Sequence, residues 1–175
     1  QTSVAVDHRE ITVTDSTPPV FSGIPTNVTV AATESNCGAY ASWTPPVAAD
    51  VCSTATLTSS HQPGQLFPPG TTTVTYTATD SANNVATATF DVIVQSVMPA
   101  ITAQPTSVTL CAGASSTLTV GLSAAGPPPS FEWRHDGVVI PGATLPSYTI
   151  GSASSADVGN YTVIVSNGCG TVTSN

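Results

Sequence analysis

The chain has 175 residues, with two Lys+Arg against ten Asp+Glu and a formal net charge of −8 at pH 7. This balance argues against a nucleic-acid-binding surface, which needs Lys and Arg to displace the counterions of phosphate. It argues equally against docking on anionic lipid. Charged residues make up 7% of the chain and hydrophobic residues 40%, which is the opposite of a disordered composition. No apolar run reaches the roughly 18 residues that span a bilayer, so no membrane insertion is expected.

Short runs in which apolar and polar residues alternate recur along the chain, separated by Pro, Gly, Asn and Asp. A period of two is typical of strands with one buried face, and no helical stripe interrupts the pattern. Strands are expected at residues 27–31, 71–79, 86–94, 107–110, 116–120 and 161–165. The sequence therefore predicts an all-β protein built of antiparallel β-sandwiches.

Two proline-marked segments divide the chain, one at Pro18-Pro19 and one at Met98-Pro99. We expect an N-terminal strand or linker at residues 1–15, a first sandwich at residues 16–96 and a second at residues 97–175. The two sandwiches are called module one and module two below. Almost no linker separates them, which predicts a stiff joint.

A partial repeat relates the N-terminus to the end of module one. Residues 4–20 align without gaps on residues 85–101, an offset of 81. The alignment places Val4, Ile11 and Val13 on Val85, Val92 and Val94. Residues 1–14 are therefore interpreted as a terminal strand without a module of its own, the alternative being chance similarity between two β-rich segments.

Module one resembles the hyalin repeat (HYR), an immunoglobulin-like sandwich of extracellular proteins. The resemblance rests on Cys37-Gly38-Ala39, Trp43-Thr44-Pro45-Pro46, Asp50-Val51-Cys52 and Phe67-Pro68-Pro69-Gly70-Thr71-Thr72-Thr73-Val74. Asn83-Asn84 departs from the Gly-Asn usual in that family. Because Asn tolerates a left-handed backbone next best after Gly, we expect the turn to be kept.

Module two resembles bacterial immunoglobulin-like repeats through Trp133-Arg134-His135-Asp136-Gly137 and Asp157-Val158-Gly159-Asn160-Tyr161. The second motif is typical of a tyrosine corner, in which the Tyr hydroxyl binds nearby backbone. Val120 and Val163 match the positions of the usual inter-sheet cysteines. The two resemblances together imply tandem immunoglobulin-like β-sandwiches, and the expected core aromatic residues are Trp43, Trp133 and Tyr161.

Four cysteines allow three pairings. Only pairing within modules leaves the two sandwiches unlinked, so the expected disulfides are Cys37–Cys52 and Cys111–Cys169. Two disulfides without a Cys-x-x-Cys motif predict an oxidising compartment, and hence an extracellular or cell-surface location.

No catalytic, cofactor-binding or metal site is expected. The three histidines lie far apart, and no nucleophile motif accompanies the many serines. Asp15, Asp50 and Asp80 are candidates to meet at one module edge and hold Ca²⁺, which prefers several oxygen ligands. The alternative for these three residues is turn formation, since Asp side chains accept backbone N–H bonds in loops.

The leading hypothesis is a non-catalytic structural module pair of an extracellular surface or filament protein. Its expected partners are copies of itself or neighbouring modules, joined head to tail. Module two is expected to end about half a strand early, and a strand carrying Val4, Val6, Ile11 and Val13 would fill that edge by strand donation. One alternative is an adhesin or carbohydrate-binding segment that uses a loop such as residues 126–129 to bind a glycan. Another is a pair of accessory domains from a secreted hydrolase.

Overall fold

A computed structural model of the chain describes residue 9 and residues 11–123 and 125–175. Module one contains β1 (Val20–Ser22), β2 (Val28–Ala31), β3 (Ala39–Ala41), β4 (Val47–Ala49), β5 (Thr56–Ser59), β6 (Gln65–Phe67), β7 (Gly70–Thr79) and β8 (Val85–Gln95). Module two contains β9 (Ile101–Ala103), β10 (Ser116–Thr119), β11 (Gly121–Leu122), β12 (Ser130–His135), β13 (Val138–Val139), β14 (Ser147–Ile150), β15 (Tyr161–Asn167) and β16 (Gly170–Thr173). The only helical segment in the described ranges is a 3-10 turn at Ser155–Asp157, which confirms the prediction of tandem immunoglobulin-like β-sandwiches.

Within the described ranges, nothing helical is long and apolar enough to cross a membrane.

The chain folds into two compact units whose boundaries differ from those of the sequence modules. The first unit contains the described residues up to Thr26 together with Thr44–Gln62 and Val74–Phe90. The second contains Asn27–Trp43, Pro63–Thr73 and Asp91–Asn175. Part of module one thus lies in the same compact unit as the whole of module two.

The largest sheet of module one has the strand order β2-β8-β7-β5. Strand β5 pairs antiparallel with β7, whereas β2 pairs parallel with β8 from Val28↔Val92 to Ala31↔Gln95. Parallel neighbours require a long connection, and the intervening strands of the module supply it. In module two, the largest sheet has the order β13-β12-β15-β16 and is antiparallel throughout.

The core of module two forms around Trp133, which has no exposed surface. Its indole Nε1 donates a hydrogen bond to the Leu145 carbonyl at 2.9 Å, so the polar atom of this buried ring is satisfied. Leu118, Val120, Val163 and Val165 complete the buried cluster. Val120 and Val163 thus fill with apolar packing the volume that a disulfide occupies in related sandwiches.

Tyr161 forms the tyrosine corner that the sequence predicts. Its hydroxyl donates to the Asp157 carbonyl at 3.1 Å, and its ring stacks on His135 with the centroids 4.5 Å apart. Burial, followed by the nearby Asp157 carboxylate, raises the pKa of the Tyr161 hydroxyl. The hydroxyl therefore remains a donor, and this corner fixes the start of β15.

Trp43 differs from the prediction of a core residue on a strand. It follows β3, is half-buried, and meets Phe67 edge-on with ring centroids 5.9 Å apart. Strand β3 ends at Ala41, and Pro45 and Pro46, which follow Thr44, cannot donate to a strand ladder. Trp43 therefore lies outside the strands and packs on Phe67.

The predicted strand at residues 107–110 is wrong. These residues form no strand, although their sequence alternates as expected. A strand is defined by hydrogen bonds to a neighbour, and none of the strands in the described ranges pairs with this segment.

The expected disulfides are also wrong. Cys37 is bonded to Cys169, across 132 residues of sequence and with a Cα–Cα distance of 4.8 Å, while Cys52 and Cys111 are free and exposed. Both bonded cysteines lie in the second compact unit. The assumption that the modules remain unlinked was the source of the error.

A glycine makes the observed disulfide possible. A Cβ on Gly168 would collide with the Ser35 carbonyl and with the backbone N of Cys37. Asn167 fixes the same turn from the other side, since its Nδ2 donates to the Val97 carbonyl at 2.8 Å and its Oδ1 accepts from the Cys169 amide at 2.9 Å. Only a residue without a side chain allows these two loops to approach so closely.

The turn after β7 is held by Asp80. Asn83 adopts the left-handed conformation there, with φ 68°. It thereby keeps the turn in which the HYR family usually has Gly at this position. Asp80 is 5% exposed and accepts bonds from the amide and the Nδ2 of Asn84, each at 2.8 Å. Burial alone would raise the pKa of the Asp80 carboxyl, but the bonds from Asn84 outweigh it and hold that pKa below its ordinary 3.8.

We expect Trp133→Ala to destabilise module two by about 3–5 kcal/mol, because it empties the centre of the buried cluster. Tyr40→Ala is the control: Tyr40 is 61% exposed, and its loss should change the free energy of unfolding by no more than about 0.5 kcal/mol. Urea unfolding, with hydrogen exchange of the β12 and β15 amides, measures both. Equal effects of the two substitutions would show that Trp133 is not the centre of the core.

We expect Gly168→Ala to prevent the Cys37–Cys169 disulfide, leaving both thiols reactive toward a maleimide. Chain entropy predicts a loss of about 5 kcal/mol for a closed loop of this length. Gly151→Ala is the matched control, because a Cβ there meets no atom within 4 Å. Mass spectrometry of labelled protein would contradict this prediction if the Gly168 variant kept its disulfide.

We expect the Asp80 carboxyl to titrate below pH 3.8 in a ¹³C NMR titration, and Asn84→Ala to move its pKa upward. Because the Asp80 pKa is lower in the folded chain, the ionised carboxyl stabilises the fold at pH values above its ordinary pKa. This stabilisation is lost as the pH falls through the lowered pKa. Acid unfolding of the Asn84 variant should therefore begin at higher pH than that of an Asn175→Ala control. An unchanged Asp80 titration in the Asn84 variant would refute this assignment.

Candidate functional site

An open groove runs along the edge of module two. It has a volume of about 640 Å³ and is lined in part by Pro105–Leu110, which is called its wall below. Leu118 and Ile150, each 7% exposed, lie beneath it. The groove thus has an apolar floor, and the backbone of its wall is not paired with any strand in the described ranges.

The sequence of this wall repeats that of β2 in module one. Residues 105–112 read Pro-Thr-Ser-Val-Thr-Leu-Cys-Ala, and residues 25–32 read Pro-Thr-Asn-Val-Thr-Val-Ala-Ala. The offset of 80 places Val108 on Val28, Leu110 on Val30 and Cys111 on Ala31. The wall of the groove is therefore the module-two counterpart of a strand that is paired in module one.

In module one, the segment with this sequence is paired. There the end of β8 runs parallel to β2, and Val92 and Val94 are 0% and 2% exposed. In module two, the Asn175 amide donates to Gln104 Oε1 at 3.0 Å, at the mouth of the groove. Val108 is 46% exposed, whereas its counterpart Val28 is half-buried.

The N-terminal segment carries side chains of the kind that such a site would bury. Ile11 and Val13 are 88% and 89% exposed, which is unusual for large apolar residues on alternate positions. The repeat with offset 81 aligns them on Val92 and Val94, the two residues that β8 buries beside β2. Val4 and Val6, the other two residues of the expected donor strand, lie outside the described residues.

The expectation that Asp15, Asp50 and Asp80 meet at one edge of module one holds only in part. Ligand atoms of Asp15, Asp50 and Cys52 lie within 4.8 Å of one another, and Asn84, which binds Asp80, also donates to the Asp15 carbonyl at 3.3 Å. Asp50 Oδ1 accepts from the amides of Cys52 and Ser53 at 2.8 and 3.1 Å.

Asp15 Oδ1 similarly accepts from the Thr17 amide at 3.1 Å. Its other carboxylate oxygen, Oδ2, is buried without a hydrogen-bond partner. Each of the three aspartates therefore forms a local turn, which favours the turn interpretation over calcium binding, and a thiol is a soft ligand that Ca²⁺ does not prefer.

Two of the three histidines lie in the described part of the chain, and they are in different places. His61 Nδ1 contacts the hydroxyl of its neighbour Ser60 at 3.0 Å. His135 Nε2 is 3.2 Å from the Val158 carbonyl and 3.5 Å from Asp136 Oδ2, beside the tyrosine corner. His8 lies outside the described residues.

The loop expected to bind a glycan has one buried residue. Pro127 is fully buried, and a Cβ on Gly126 would meet Val97 at 2.8 Å, whereas Pro128 and Pro129 are exposed.

The sequence carries one signal for the groove. The match between residues 25–32 and 105–112 relates its wall to β2 of module one. Leu118 and Ile150 gave no signal of their own, since both belong to ordinary strand patterns.

Comparison with known proteins gives matches for both parts of the chain. Residues 14–94 match the HYR domain family, and residues 98–167 match the immunoglobulin domain family. The second match is to immunoglobulin domains in general, so the bacterial character of module two stays a prediction.

Two sea-urchin hyalins are among the relatives. Hyalin of Strongylocentrotus purpuratus is 40% identical over 99 residues, which is 54% of this chain and 8% of that protein. Hyalin of Lytechinus variegatus is 42% identical over 85 residues, which is 47% of this chain and 16% of that protein. The chain therefore spans only a small part of the length of these relatives.

Solved structures that match the chain include titin domains Z1Z2 in complex with telethonin, at 18% identity and a TM-score of 0.49, covering 93% of this chain and 95% of that one. Sidekick-1 immunoglobulin domains 1–5 match at 15% identity and a TM-score of 0.38, covering 89% and 40%. The family matches are what identify the domains: the chain carries an HYR domain at residues 14–94 followed by an immunoglobulin-like domain at residues 98–167.

Proposed function

We propose that this chain is a non-catalytic, adhesion-type structural unit of an extracellular protein, and that successive copies join head to tail by β-strand complementation. HYR and immunoglobulin-like domains are module types that act by binding. The Cys37–Cys169 disulfide supports an oxidising compartment outside the cytosol.

The observation that carries the proposal is the groove beside Pro105–Leu110. The parallel pair of β2 and β8 provides a template within the same chain for what fills such an edge. A strand from the next copy would pair the unpaired backbone of the groove and cover its apolar floor. Because donor and acceptor are different surfaces, the contact repeats from copy to copy and forms an open row.

The donor is the segment that ends at Thr14. Transferring the β2–β8 register through the two repeats places Ile11 opposite Val108, Thr12 opposite Thr109 and Val13 opposite Leu110. Ile11 and Val13 then face the groove floor, while Thr12 faces solvent. The uncharged Ile-Thr-Val-Thr sequence at residues 11–14 suits this position.

The strength of the contact follows from the area that it buries. Full burial of the Ile11 and Val13 side chains contributes roughly 3–6 kcal/mol. Association costs at least about 4 kcal/mol in lost translational and rotational freedom. The two side chains alone therefore give weak, concentration-dependent assembly, and the backbone hydrogen bonds of the added strand supply the rest.

We expect the full chain to form oligomers at high concentration and a chain of residues 15–175 to remain monomeric, as measured by light scattering. A synthetic peptide of residues 1–14 should bind the shortened chain. Val13→Asp in the peptide should weaken binding at least tenfold, because it places a charge on the groove floor. Thr12→Asp is the matched control on the solvent face and should bind almost unchanged.

The acceptor side has its own control. Val108→Asp in the shortened chain should abolish peptide binding, whereas Val138→Asp, at an exposed position outside the groove, should not. Equal polymerisation by the shortened and full chains would refute strand donation, and so would equal binding by the two variant peptides.

A further inference from the structure

Module two carries another cavity, which opens beside the edge strand β13. Its volume is about 450 Å³, and it shares only Asp157 and Tyr161 with the lining of the groove. Strand β13 lies at the opposite edge of the four-stranded sheet from β16, with β12 and β15 between them. The cavity is called the β13 cavity below, and neither Pro105–Leu110 nor Asn175 lines it.

The wall of the β13 cavity is mainly apolar and aromatic. Val138 and Val139 line it, and they are 71% and 43% exposed. Large apolar side chains are unusual on an exposed edge strand, where charged residues normally prevent further pairing. The other apolar and aromatic members of the wall are Ile140, Pro141, Tyr148 and Tyr161. Such a wall is suited to the apolar part of a ligand.

Two carboxylates lie at this wall. Asp157 Oδ2 accepts from the Ser154 amide at 2.8 Å and from the Ser154 hydroxyl at 2.7 Å. These bonds hold the pKa of the Asp157 carboxyl below its ordinary 3.8, so it is ionised at neutral pH. Asp136 Oδ1 accepts from the Asn160 amide at 2.8 Å. Asp136 Oδ2 lies 3.5 Å from His135 Nε2, a contact that is an ion pair only when the imidazole is protonated.

The two carboxylates act on the same group. Burial raises the pKa of the Tyr161 hydroxyl, and the nearby charges of Asp157, Tyr148 and Asp136 raise it further. In the described part of the chain, neither Lys nor Arg lines the cavity to balance this negative potential. A ligand that supplies a positive charge would therefore relieve the repulsion between the carboxylates, whereas a neutral ligand would not.

A guanidinium group matches this combination of carboxylates and rings. It is planar, it forms paired hydrogen bonds with carboxylates, and it is less strongly hydrated than an ammonium group, so it lies readily against aromatic rings. The methylene groups of an arginine side chain supply the apolar part of the ligand. We propose that the β13 cavity binds an arginine side chain of a partner protein, with Asp136 and Asp157 as the acceptors of the guanidinium. This inference is independent of strand donation.

The partner is expected to differ in sequence from this chain. The chain has only two Lys+Arg, and one of these, Arg134, has its Nη2 2.7 Å from Glu132 Oε1. Because the formal net charge is −8, a second copy would approach the acidic cavity with charge of the same sign. A basic segment of another protein carries the complementary charge.

NMR titration of the ¹⁵N-labelled chain tests the proposal, with a blocked Gly-Arg-Gly peptide as the probe at pH 7 and low ionic strength. The peptide should shift the backbone amide signals of Asp136, Val139 and Tyr161. The same peptide with citrulline in place of arginine has the same shape without the charge. It should bind about tenfold more weakly, since two exposed ion pairs are lost. Equal binding of the two peptides would overturn the proposal, and so would tighter binding of a Gly-Lys-Gly peptide.

The acceptors are tested by Asp136→Asn and Asp157→Asn, each of which keeps an oxygen for the local bonds to Asn160 or Ser154. Asn also tolerates the positive φ of 48° at Asp136, so the turn is kept. Each substitution should weaken binding of the arginine peptide about three- to fivefold, the loss that one exposed ion pair explains. Binding of the citrulline peptide should stay unchanged.

Asp91→Asn is the matched control. It removes one charge from a residue that does not line the cavity, and it keeps an acceptor for the Thr73 hydroxyl, which Asp91 Oδ1 binds at 2.8 Å. The affinity for the arginine peptide should be unchanged. Equal weakening by all three substitutions would show that only the net charge attracts the peptide, and the site would be refuted. The amide spectrum of each variant reports its folding, and Asp157→Asn carries the test if Asp136→Asn unfolds.

Discussion

The structure depends on one requirement, that the backbone at the edge of a β-sandwich be paired. Unpaired N–H and C=O groups in an extended segment are a template for another strand. Module one meets the requirement within itself, through the parallel pair of β2 and β8. Module two carries the same sequence motif at residues 105–112 but leaves it beside an open groove. The two segments have similar sequences, and the comparison shows that the pairing of a segment does not follow from its sequence alone.

Much of the fold was predictable, because strands with one buried face leave a local pattern. The alternation at residues 71–79 and 86–94 corresponds closely to β7 and β8, and the motif ending at Tyr161 gave the tyrosine corner. Residues 107–110 have an equally good pattern and form no strand. The alternation of apolar and polar residues indicates which face a segment would bury. Whether the segment forms a strand depends on hydrogen bonds to a neighbouring strand, which is distant in sequence or belongs to another molecule.

The cysteine pairing could not be predicted from the sequence. The positions of four cysteines in a sequence do not determine which of them form disulfides. The prediction of bonds within modules assumed that the loops at residues 35–37 and 167–170 stay apart. The missing side chain at Gly168 allows them to meet. Gly168 stands in an Asn-Gly-Cys-Gly sequence that also reads as an ordinary turn. A close approach between distant loops is a property of three-dimensional packing, and single-sequence reasoning has no access to it.

The Cys37–Cys169 bond has a mechanical consequence. Because it joins residues 132 apart in sequence, tension applied from outside the bridge on both sides passes directly through the two sulfur atoms. The enclosed polypeptide is shielded, and about 450 Å of extended contour length is held in reserve. Only residues outside the bridge can be drawn out while it is intact. Reduction would release that slack and turn a nearly inextensible link into a long, compliant one.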